Sequence, residues 1–482
     1  MCHHCSDAFR GFSRREVIVG LAASSVAGSL LLRSGQAAAD AAASQPATSR
    51  AKPEIRAAFL RPKEDYWLGW PGTAWDKNVC KSFMGKSREL IGKFAADLNV
   101  DVQWTEEPLY DQAAAERFIT QIKADKPEGL ILLPLHFKNW PDVYKIADAG
   151  VPTIIFAPLG VCFTQHIQKV AKQKGVYLAS CADFELAPVR FGLKMIRANH
   201  DIRRTRIAVL ARKESGDEVL EPFGLSVRYV PRNRFPEIFK TIETTPEVRA
   251  MADEYRKLAD KTVEPTEEDI INAAKNYFVA KKIMEENDCQ GITMDCLGLV
   301  TERLVPTPPC MAWSLFLDNG VSATCEADLH AVMSQELCLK LLGKPGFVQD
   351  PVPNTVDNTF IGAHCVCATR IFGYDQPRAK FILRSHAESD IGVSLQVIWP
   401  PGTDVTVMEI TEPGKMIVGQ GKVLRNYDTP PAGGCRTSVE LQLDGPPDVR
   451  DTKGFHQLFI AGKHVRDFQA YAQMYGISVE NI

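Results

Sequence analysis

Two carboxylates and an imidazole occur close together between residues 321 and 370. Glu326 precedes a helix-like apolar segment, Asp350 follows the Gly-Lys-Pro-Gly that ends this segment, and His364 lies in an apolar, strand-like run. Carboxylates and imidazoles at the ends of elements are ligands that a hard divalent ion such as Mn²⁺ accepts. Structural roles are the alternative: a helix cap for Glu326, a turn cap for Asp350 and a core position for His364. Spacing alone favours the structural roles.

A resemblance to a known family changes this balance. The stretch resembles the metal-binding core of the L-fucose isomerase and L-arabinose isomerase superfamily, in which a Cys-Glu pair opens a helix and an acidic residue follows the next Gly-Pro turn. Here Asp350 follows Glu326 by 24 positions, as in the fucose branch. His364 lies where the arabinose branch has a metal histidine. The segment Gly-Phe-His-Gln-Leu-Phe, which contains His456, resembles a segment of that branch that has two histidines.

The resemblance covers most of the chain from about residue 55 onward, and it is specific only in these motifs. It implies an aldose–ketose isomerase that acts on a small-molecule sugar through an enediolate, with Mn²⁺ or a similar divalent metal as cofactor. Glu326, Asp350, His364 and His456 are then expected to bind the metal. The two carboxylates are also expected to be catalytic, moving the proton between neighbouring carbons. For the histidines, hydrogen bonding to substrate oxygens is the alternative. The family's sites lie between subunits, which implies a homo-oligomer, a trimer or hexamer.

Three further residues are candidates for contacting the sugar. His386 lies in a polar run, Arg436 follows Gly-Gly-Cys, and Trp75 ends an aromatic segment after the first predicted strand. A solvated strand end is the favoured alternative for His386, and a surface ion pair is equally compatible with Arg436. For Trp75, packing at a domain interface is the alternative.

Strand-length apolar runs alternate with amphipathic segments in the first half of the chain. The first four runs are Arg56–Leu60, Val100–Trp104, Gly129–Leu135 and Pro152–Pro158. This alternation predicts a parallel sheet with helices on both faces, and a second set begins at residue 206. After Gly373, short strands separated by Pro-Gly turns predict a small antiparallel barrel or sandwich.

The predicted fold class is therefore α/β, with two Rossmann-like parallel-sheet domains followed by a β-rich, barrel-like C-terminal domain. The expected N-terminal α/β domain spans residues 52–205. The second α/β domain spans residues 206–346 and carries Glu326. The β-rich domain spans residues 347–482 and carries the other three predicted metal ligands.

The N-terminal segment has the features of an export signal. Arg14 and Arg15 precede the apolar run Val17–Leu32 and a stretch of small residues, which is the pattern of a twin-arginine signal peptide. We expect residues 1–44 to be signal peptide and linker, the twin-arginine export machinery to be a partner, and the protein to be periplasmic. A membrane anchor is the alternative, which the many small residues in the run disfavour.

Composition and cysteine usage limit other possibilities. A formal net charge of −3 gives no indication of nucleic acid or an anionic membrane as partner. No Gly-rich phosphate motif follows a predicted strand, so no nucleotide cofactor is expected. Of the 13 cysteines, all but Cys2 and Cys5 lie beyond the signal, and several, including Cys296, Cys338 and Cys365, are predicted to act as small core hydrophobes. Export of an already folded chain protects such thiols from mispairing.

Two function classes remain open beside the isomerase. Residues 130–158 resemble one lobe of a periplasmic binding protein, so an exported sugar-binding protein without turnover is the first alternative. Another metal-assisted sugar reaction on the same fold, an epimerase or lyase step, is the second. The two acids and the histidines favour an enzyme, because a pure binder needs no such set.

Overall fold

The computed structural model describes residues 51–64, 77–428, 435–445 and 448–482. The predicted signal peptide and Trp75 lie outside these ranges. The chain forms two compact units, which are considered separately. The first comprises the described part of Ser49–His200 together with Asp467–Ser478, and the second comprises Asp201–Arg466 together with Val479–Ile482. Within the described ranges, no helix combines the length and apolar character needed to cross a bilayer.

The first unit is built on one parallel sheet. Its strands are β1 (Glu54–Leu60), β2 (Asp101–Trp104), β3 (Gly129–Pro134), β4 (Thr153–Pro158) and β5 (Val176–Cys181). They pair in the order β2-β1-β3-β4-β5, and every pairing is parallel. β3 and β4 are buried at every position because helices cover both faces of the sheet. The parallel sheet predicted for this part of the chain is therefore confirmed.

Helices connect these strands and complete the unit. They are α1 (Lys77–Asp97), α2 (Gln112–Asp125), α3 (Trp140–Ala147), α4 (Thr164–Val170) and α5 (Ala187–Ile202). α2 begins after Asp111, whose side chain accepts a hydrogen bond from the Ala114 backbone N–H at 2.9 Å and so caps the helix.

The second unit begins with a mixed sheet. Its strands are β6 (Arg206–Leu210), β7 (Gly216–Leu220), β8 (Leu225–Tyr229), β10 (Gly291–Met294) and β11 (Ala323–Cys325), in the order β11-β10-β6-β8-β7. β7 pairs antiparallel with β8, so this sheet differs from the wholly parallel sheet that the sequence predicted. The difference arises because a short turn, not a helical crossover, connects β7 to β8. The helices of this part are α6 (Arg234–Phe239), α7 (Pro246–Leu258), α8 (Glu267–Glu286), α9 (Cys296–Thr301), α10 (Cys310–Asp318) and α11 (Leu329–Leu342).

A closed antiparallel barrel of six strands follows in the same unit. The strands are β12 (Phe347–Asn354), β13 (Thr359–His364), β16 (Asp404–Glu412), β17 (Lys415–Asn426), β18 (Thr437–Leu443) and β19 (Gln457–Ala461). They pair in the order β16-β19-β12-β13-β18-β17, and β17 closes the ring by pairing with β16. The β-rich, barrel-like C-terminal part predicted from the turn spacing is therefore confirmed.

Smaller elements complete the two units. A three-stranded sheet joins β9 (Lys261–Thr262), β14 (Phe381–Arg384) and β15 (Ser394–Val397). The last helix, α12 (Val465–Tyr475), adds to the first unit from Asp467 onward. The last strand, β20 (Ser478–Asn481), extends the barrel sheet beside β17.

Candidate metal and ligand site

The four predicted metal ligands come together in the second unit, where β11 meets the barrel. Glu326 follows directly after β11, Asp350 lies within β12, His364 is the last residue of β13, and His456 precedes β19. Strand register brings the barrel residues together, because Asp350 pairs with the neighbour of His364, and Gln349 pairs with the neighbour of His456. The position of Asp350 inside a strand excludes the turn cap that was its structural alternative.

The side chains face one another across a small space. His456 Nε2 lies 3.2 Å from Asp350 Oδ1 and 3.7 Å from Glu326 Oε2. His364 Nε2 lies 3.9 Å from Glu326 Oε1, and the two imidazole rings are 5.5 Å apart. Both histidines are buried, whereas the side chains of Glu326 and Asp350 remain 15% and 25% exposed. The carboxylates are therefore more accessible to a small molecule than the two imidazoles are.

Asp328 is the functional residue that the sequence reasoning missed. It is the N-cap of α11, with Oδ1 accepting from the His330 and Ala331 backbone N–H groups at 2.7 and 3.3 Å. Its Oδ2 accepts from His456 Nδ1 at 2.7 Å. An Asp before an apolar run signals an N-cap in sequence, but nothing local signals the partner 128 positions away. Because Asp328 caps the helix, the predicted alternative of a capping role for Glu326 is wrong.

The contact with Asp328 determines what His456 can do. A carboxylate that accepts from Nδ1 fixes the orientation of the ring and leaves the Nε2 lone pair for a cation. Among the described residues, Nε2 makes no hydrogen bond of acceptable geometry, although two carboxylates lie near it. Three electron-rich atoms that face one another in a buried place repel unless a proton or a metal ion lies between them. The ligand atoms of Glu326, His364 and His456 all lie within 4.8 Å of one another, and Asp350 Oδ1 lies 3.2 Å from His456 Nε2. A divalent cation therefore fits among these side chains.

His364 differs from His456 in the use of its nitrogens. Its Nδ1 accepts a hydrogen bond from the Cys365 backbone N–H at 3.0 Å. In the neutral ring this places the proton on Nε2, the nitrogen that faces Glu326. In this tautomer, His364 donates a hydrogen bond toward the carboxylates or a bound ligand. This is the alternative role that the sequence left open for it.

The backbone of the site is strained. Glu326, Ala327 and His456 have φ values of 60°, 54° and 56°, in the left-handed region that residues other than glycine seldom adopt. Each such residue costs about 1–3 kcal/mol and persists only when its surroundings hold it. The Ala327 N–H is held by Met294 O at 3.1 Å. Strain of this kind is typical of ligand-binding and catalytic positions.

Burial and charge perturb the ionisable groups of the site. Burial raises the pKa of Glu326, against the opposing effect of the His364 and His456 charges. Burial would also raise the pKa of Asp350, but close contact with His456 and the charge of His364 outweigh it and lower that pKa. Burial would lower the pKa of His364, but the Cys365 thiol and the nearby carboxylates raise it to about 9. Without a metal, the site therefore holds protons in the place that a cation would take.

The weaker sequence candidates lie in different surroundings. His386 is 4% exposed and its Nδ1 lies 2.9 Å from Ser389 Oγ, so the predicted alternative of a solvated strand end is wrong. Arg436 donates to Ser385 O at 2.8 Å and to Ser385 Oγ at 2.9 Å, and it lies 3.9 Å from Glu264. Its contacts therefore hold the segment that carries His386.

No protein-family model matches the chain, and no curated protein matches it. Among solved structures, it is similar to an ABC transporter solute-binding protein from Burkholderia multivorans, with 10% identity and a TM-score of 0.20 over 61% of this chain and 95% of that one. It is also similar to a sugar ABC transporter protein from Yersinia enterocolitica subsp. enterocolitica 8081, with 15% identity and a TM-score of 0.19 over 63% of this chain and 83% of that one.

The prediction of a metal-dependent aldose–ketose isomerase finds no counterpart here: the matched structures are of a solute-binding protein and a sugar ABC transporter protein. The resemblance of single motifs to L-fucose and L-arabinose isomerases is not tested by them and stays a prediction. The likeness is remote, and the choice of function rests on the geometry of the site.

Proposed function

We propose that the protein is exported and binds a polyhydroxylated small molecule, a sugar, at the space between Glu326, Asp350 and His456. The convergence of these three side chains, with His456 oriented by Asp328, is the observation that carries the proposal. A divalent ion such as Mn²⁺ would be held by the two carboxylates and the His456 Nε2. When bound, it supplies a positive centre that two adjacent sugar oxygens can chelate.

The protein's own groups provide the remaining recognition. The part-exposed carboxylates leave one side of the site open to a ligand. The buried His364 offers its Nε2–H as a hydrogen-bond donor beside Glu326. A site with a few fixed polar groups in a largely buried setting is typical of small-molecule binding. The twin-arginine motif in the sequence supports export, and the resemblance to the isomerase superfamily supports a trimer or hexamer.

Calorimetric titration of the purified mature protein with a panel of aldoses, ketoses and polyols tests this proposal. Binding should require Mn²⁺ or a similar ion and should be abolished by a chelator. Glu326→Gln and Asp350→Asn should each weaken metal and sugar binding together, because each removes a charged ligand while keeping its size. Glu412→Gln is the matched control, because that carboxylate is 58% exposed and pairs with Lys415 at the surface. Sugar binding that survives the chelator and both site variants would overturn the proposal.

A proton-transfer reaction of the epimerase or lyase type is a second candidate. The observation that favours it is the contrast between two carboxylates at one site, with the pKa of Glu326 raised and that of Asp350 lowered. Such a contrast separates an acid from a base at one pH. NMR of a bound sugar in deuterated water distinguishes the two functions. Deuterium beside the carbonyl carbon, lost in the amide variants at saturating metal, indicates turnover, whereas tight binding without exchange indicates a binding protein.

A further inference from the structure

A cluster of cysteine thiols lies beside the proposed sugar site. Cys365 follows His364 at the end of β13, and its sulfur contacts the thiols of Cys310, Cys325 and Cys435. All four are buried cysteines outside any disulfide. They come from the start of α10, the end of β11, the end of β13 and the segment before β18, so only the folded chain brings them together.

Two imidazoles also reach the central sulfur. His364 Nδ1 lies 3.5 Å from Cys365 Sγ, and His386 makes a side-chain contact with the same thiol. The ligand atoms of Cys325, His364 and Cys365 all lie within 4.8 Å of one another, and all three residues are buried.

Other buried cysteines of the same unit have a different environment. The Cys338 thiol donates to Lys344 O at 3.3 Å, and the Cys367 thiol donates to Ala368 O at 3.4 Å. These are contacts of a small hydrophobe with a weak donor, as the sequence predicted for Cys338. Cys365 was predicted to be of the same kind, but its sulfur contacts other sulfurs and imidazoles. Packing requires no such convergence, because an aliphatic side chain of similar size would fill the space.

We propose that Cys325, Cys365 and His364 hold a soft, thiophilic d¹⁰ metal ion, Cu(I) or Zn(II), separate from the ion of the sugar site. Thiolate and imidazole ligands select such ions, whereas carboxylates select hard ones. Three ligands satisfy Cu(I), while Zn(II) requires a fourth, which Cys310 or Cys435 can supply. This inference goes beyond the proposed function and does not depend on it.

The two sites are compatible because they use opposite sides of one ring. In the metal-free protein, the Nδ1 lone pair of His364 accepts from the Cys365 backbone N–H. Nδ1 also lies 3.5 Å from Cys365 Sγ, and a metal bound on this side of the ring replaces that hydrogen bond. The Nε2 faces Glu326. A metal on Nδ1 leaves the proton on Nε2, which is the same tautomer that donates into the sugar site. Each site can therefore take its own ion according to ligand type.

Metal titration of the reduced, metal-free mature protein under anaerobic conditions tests the proposal. Cu(I) with a competing Cu(I) chelator and Zn(II) with a chromogenic chelator are the probes. Cu(I) should bind as one ion per chain, and the thiol cluster should bind one Zn(II) in addition to any Zn(II) that the carboxylates hold. Cys325→Ser and Cys365→Ser should weaken both by about a hundred-fold or more. Cys338→Ser, a buried cysteine outside the cluster, is the matched control and should bind as the unchanged protein does. Cys310→Ser or Cys435→Ser should weaken Zn(II) more than Cu(I).

X-ray absorption of the loaded, unmutated protein keeps the test independent of how the variants fold. Sulfur scatterers at about 2.3 Å from the metal are expected for zinc. A coordination sphere of oxygen and nitrogen alone would overturn the proposal, as would the absence of stoichiometric binding. A Cys325–Cys365 disulfide in the exported protein, detected by mass spectrometry, would also overturn it. Glu326→Gln should leave soft-metal binding intact, so failure here is distinguishable from failure of the sugar site.

Discussion

The substitution Asp328→Asn tests whether Asp328 orients the His456 ring, and it leaves the other residues of the site unchanged. In the structure one carboxylate oxygen of Asp328 accepts from the backbone at the start of α11, and the other accepts from His456 Nδ1. Asn caps helices about as well as Asp, so its oxygen is expected to stay with the helix. The new NH₂ group then faces Nδ1–H. Two donors cannot bond to each other, so the ring must move its proton to Nε2, which removes the lone pair from the metal.

The expected loss of Mn²⁺ affinity is about 10- to 100-fold, as for other partners that orient a metal-binding histidine. This corresponds to about 1.4–2.7 kcal/mol of binding free energy. In the metal-free protein, loss of the charge-assisted hydrogen bond costs a further 1.5–3 kcal/mol or so of folding free energy. The helix itself should persist because its cap is kept.

Calorimetric titration with Mn²⁺ measures the affinity, and circular dichroism and thermal unfolding confirm that the variant folds. Asp111→Asn is the matched control, because Asp111 caps α2 in the first unit through the same kind of hydrogen bond. It should leave Mn²⁺ affinity unchanged. If folded Asp328→Asn binds Mn²⁺ as tightly as the unchanged protein, the role of Asp328 in orienting His456 is refuted.

Three other predictions concern the pH dependence, the barrel and export. Burial raises the pKa of Glu409 to about 9, so between about pH 4.5 and 9 folding takes up a proton. The contribution of Glu409 to the free energy of unfolding therefore falls as pH rises, by at most about 1.4 kcal/mol per pH unit. Glu409→Gln should flatten this slope, as measured by chemical denaturation at several pH values. Gly362→Ala should destabilise the protein by about 1–3 kcal/mol, because an added Cβ would lie 2.4 Å from the Phe459 ring, and thermal unfolding measures this. Replacing Arg14 and Arg15 with lysine should keep the precursor in the cytoplasm, as measured by cell fractionation.

Each of these predictions has an outcome that contradicts it. An unchanged pH slope in Glu409→Gln would show that this carboxyl is ionised in the folded protein. For the barrel, Gly92→Ala in α1 is the control, because no atom lies within 4 Å of its added Cβ and alanine favours the helix. Equal effects of the two glycine substitutions would exclude tight packing at Gly362. Normal export of the double lysine variant would indicate the general secretory route.

The sequence predicted the strands that can be recognised from apolar runs and turn residues near one another in the chain. β3 and β4 are buried on both faces, so their runs are apolar at nearly every position and have strand length. Of the barrel strands, β16, β17 and β18 were predicted, because turns rich in Pro and Gly separate them at short intervals. The antiparallel pairing of β7 was not predicted, because strand direction depends on the pairing partner and not on the strand's own residues.

The sequence predicted which residues form the site, but not their contacts or their backbone conformation. The sequence singled out Glu326, Asp350, His364 and His456, and the folded chain brings all four together. It could not reveal Asp328 as the partner of His456, because that contact spans 128 positions. The left-handed backbone was also hidden, since no glycine marks it. The thiol cluster draws on well-separated segments, so the spacing of its cysteines shows no framework.

The order of strands in the barrel has a consequence for how this chain folds. β19, at Gln457–Ala461, lies between β12 and β16, so the ring cannot close until those late residues have left the ribosome. The first unit also waits for a late segment, Asp467–Ser478, to complete it. Contacts between residues so far apart in the chain make folding slow, because loop closure must come before the contacts that stabilise it. The apolar strands of the barrel therefore stay uncovered until β19 is made, and we expect the nascent chain to depend on chaperones until then.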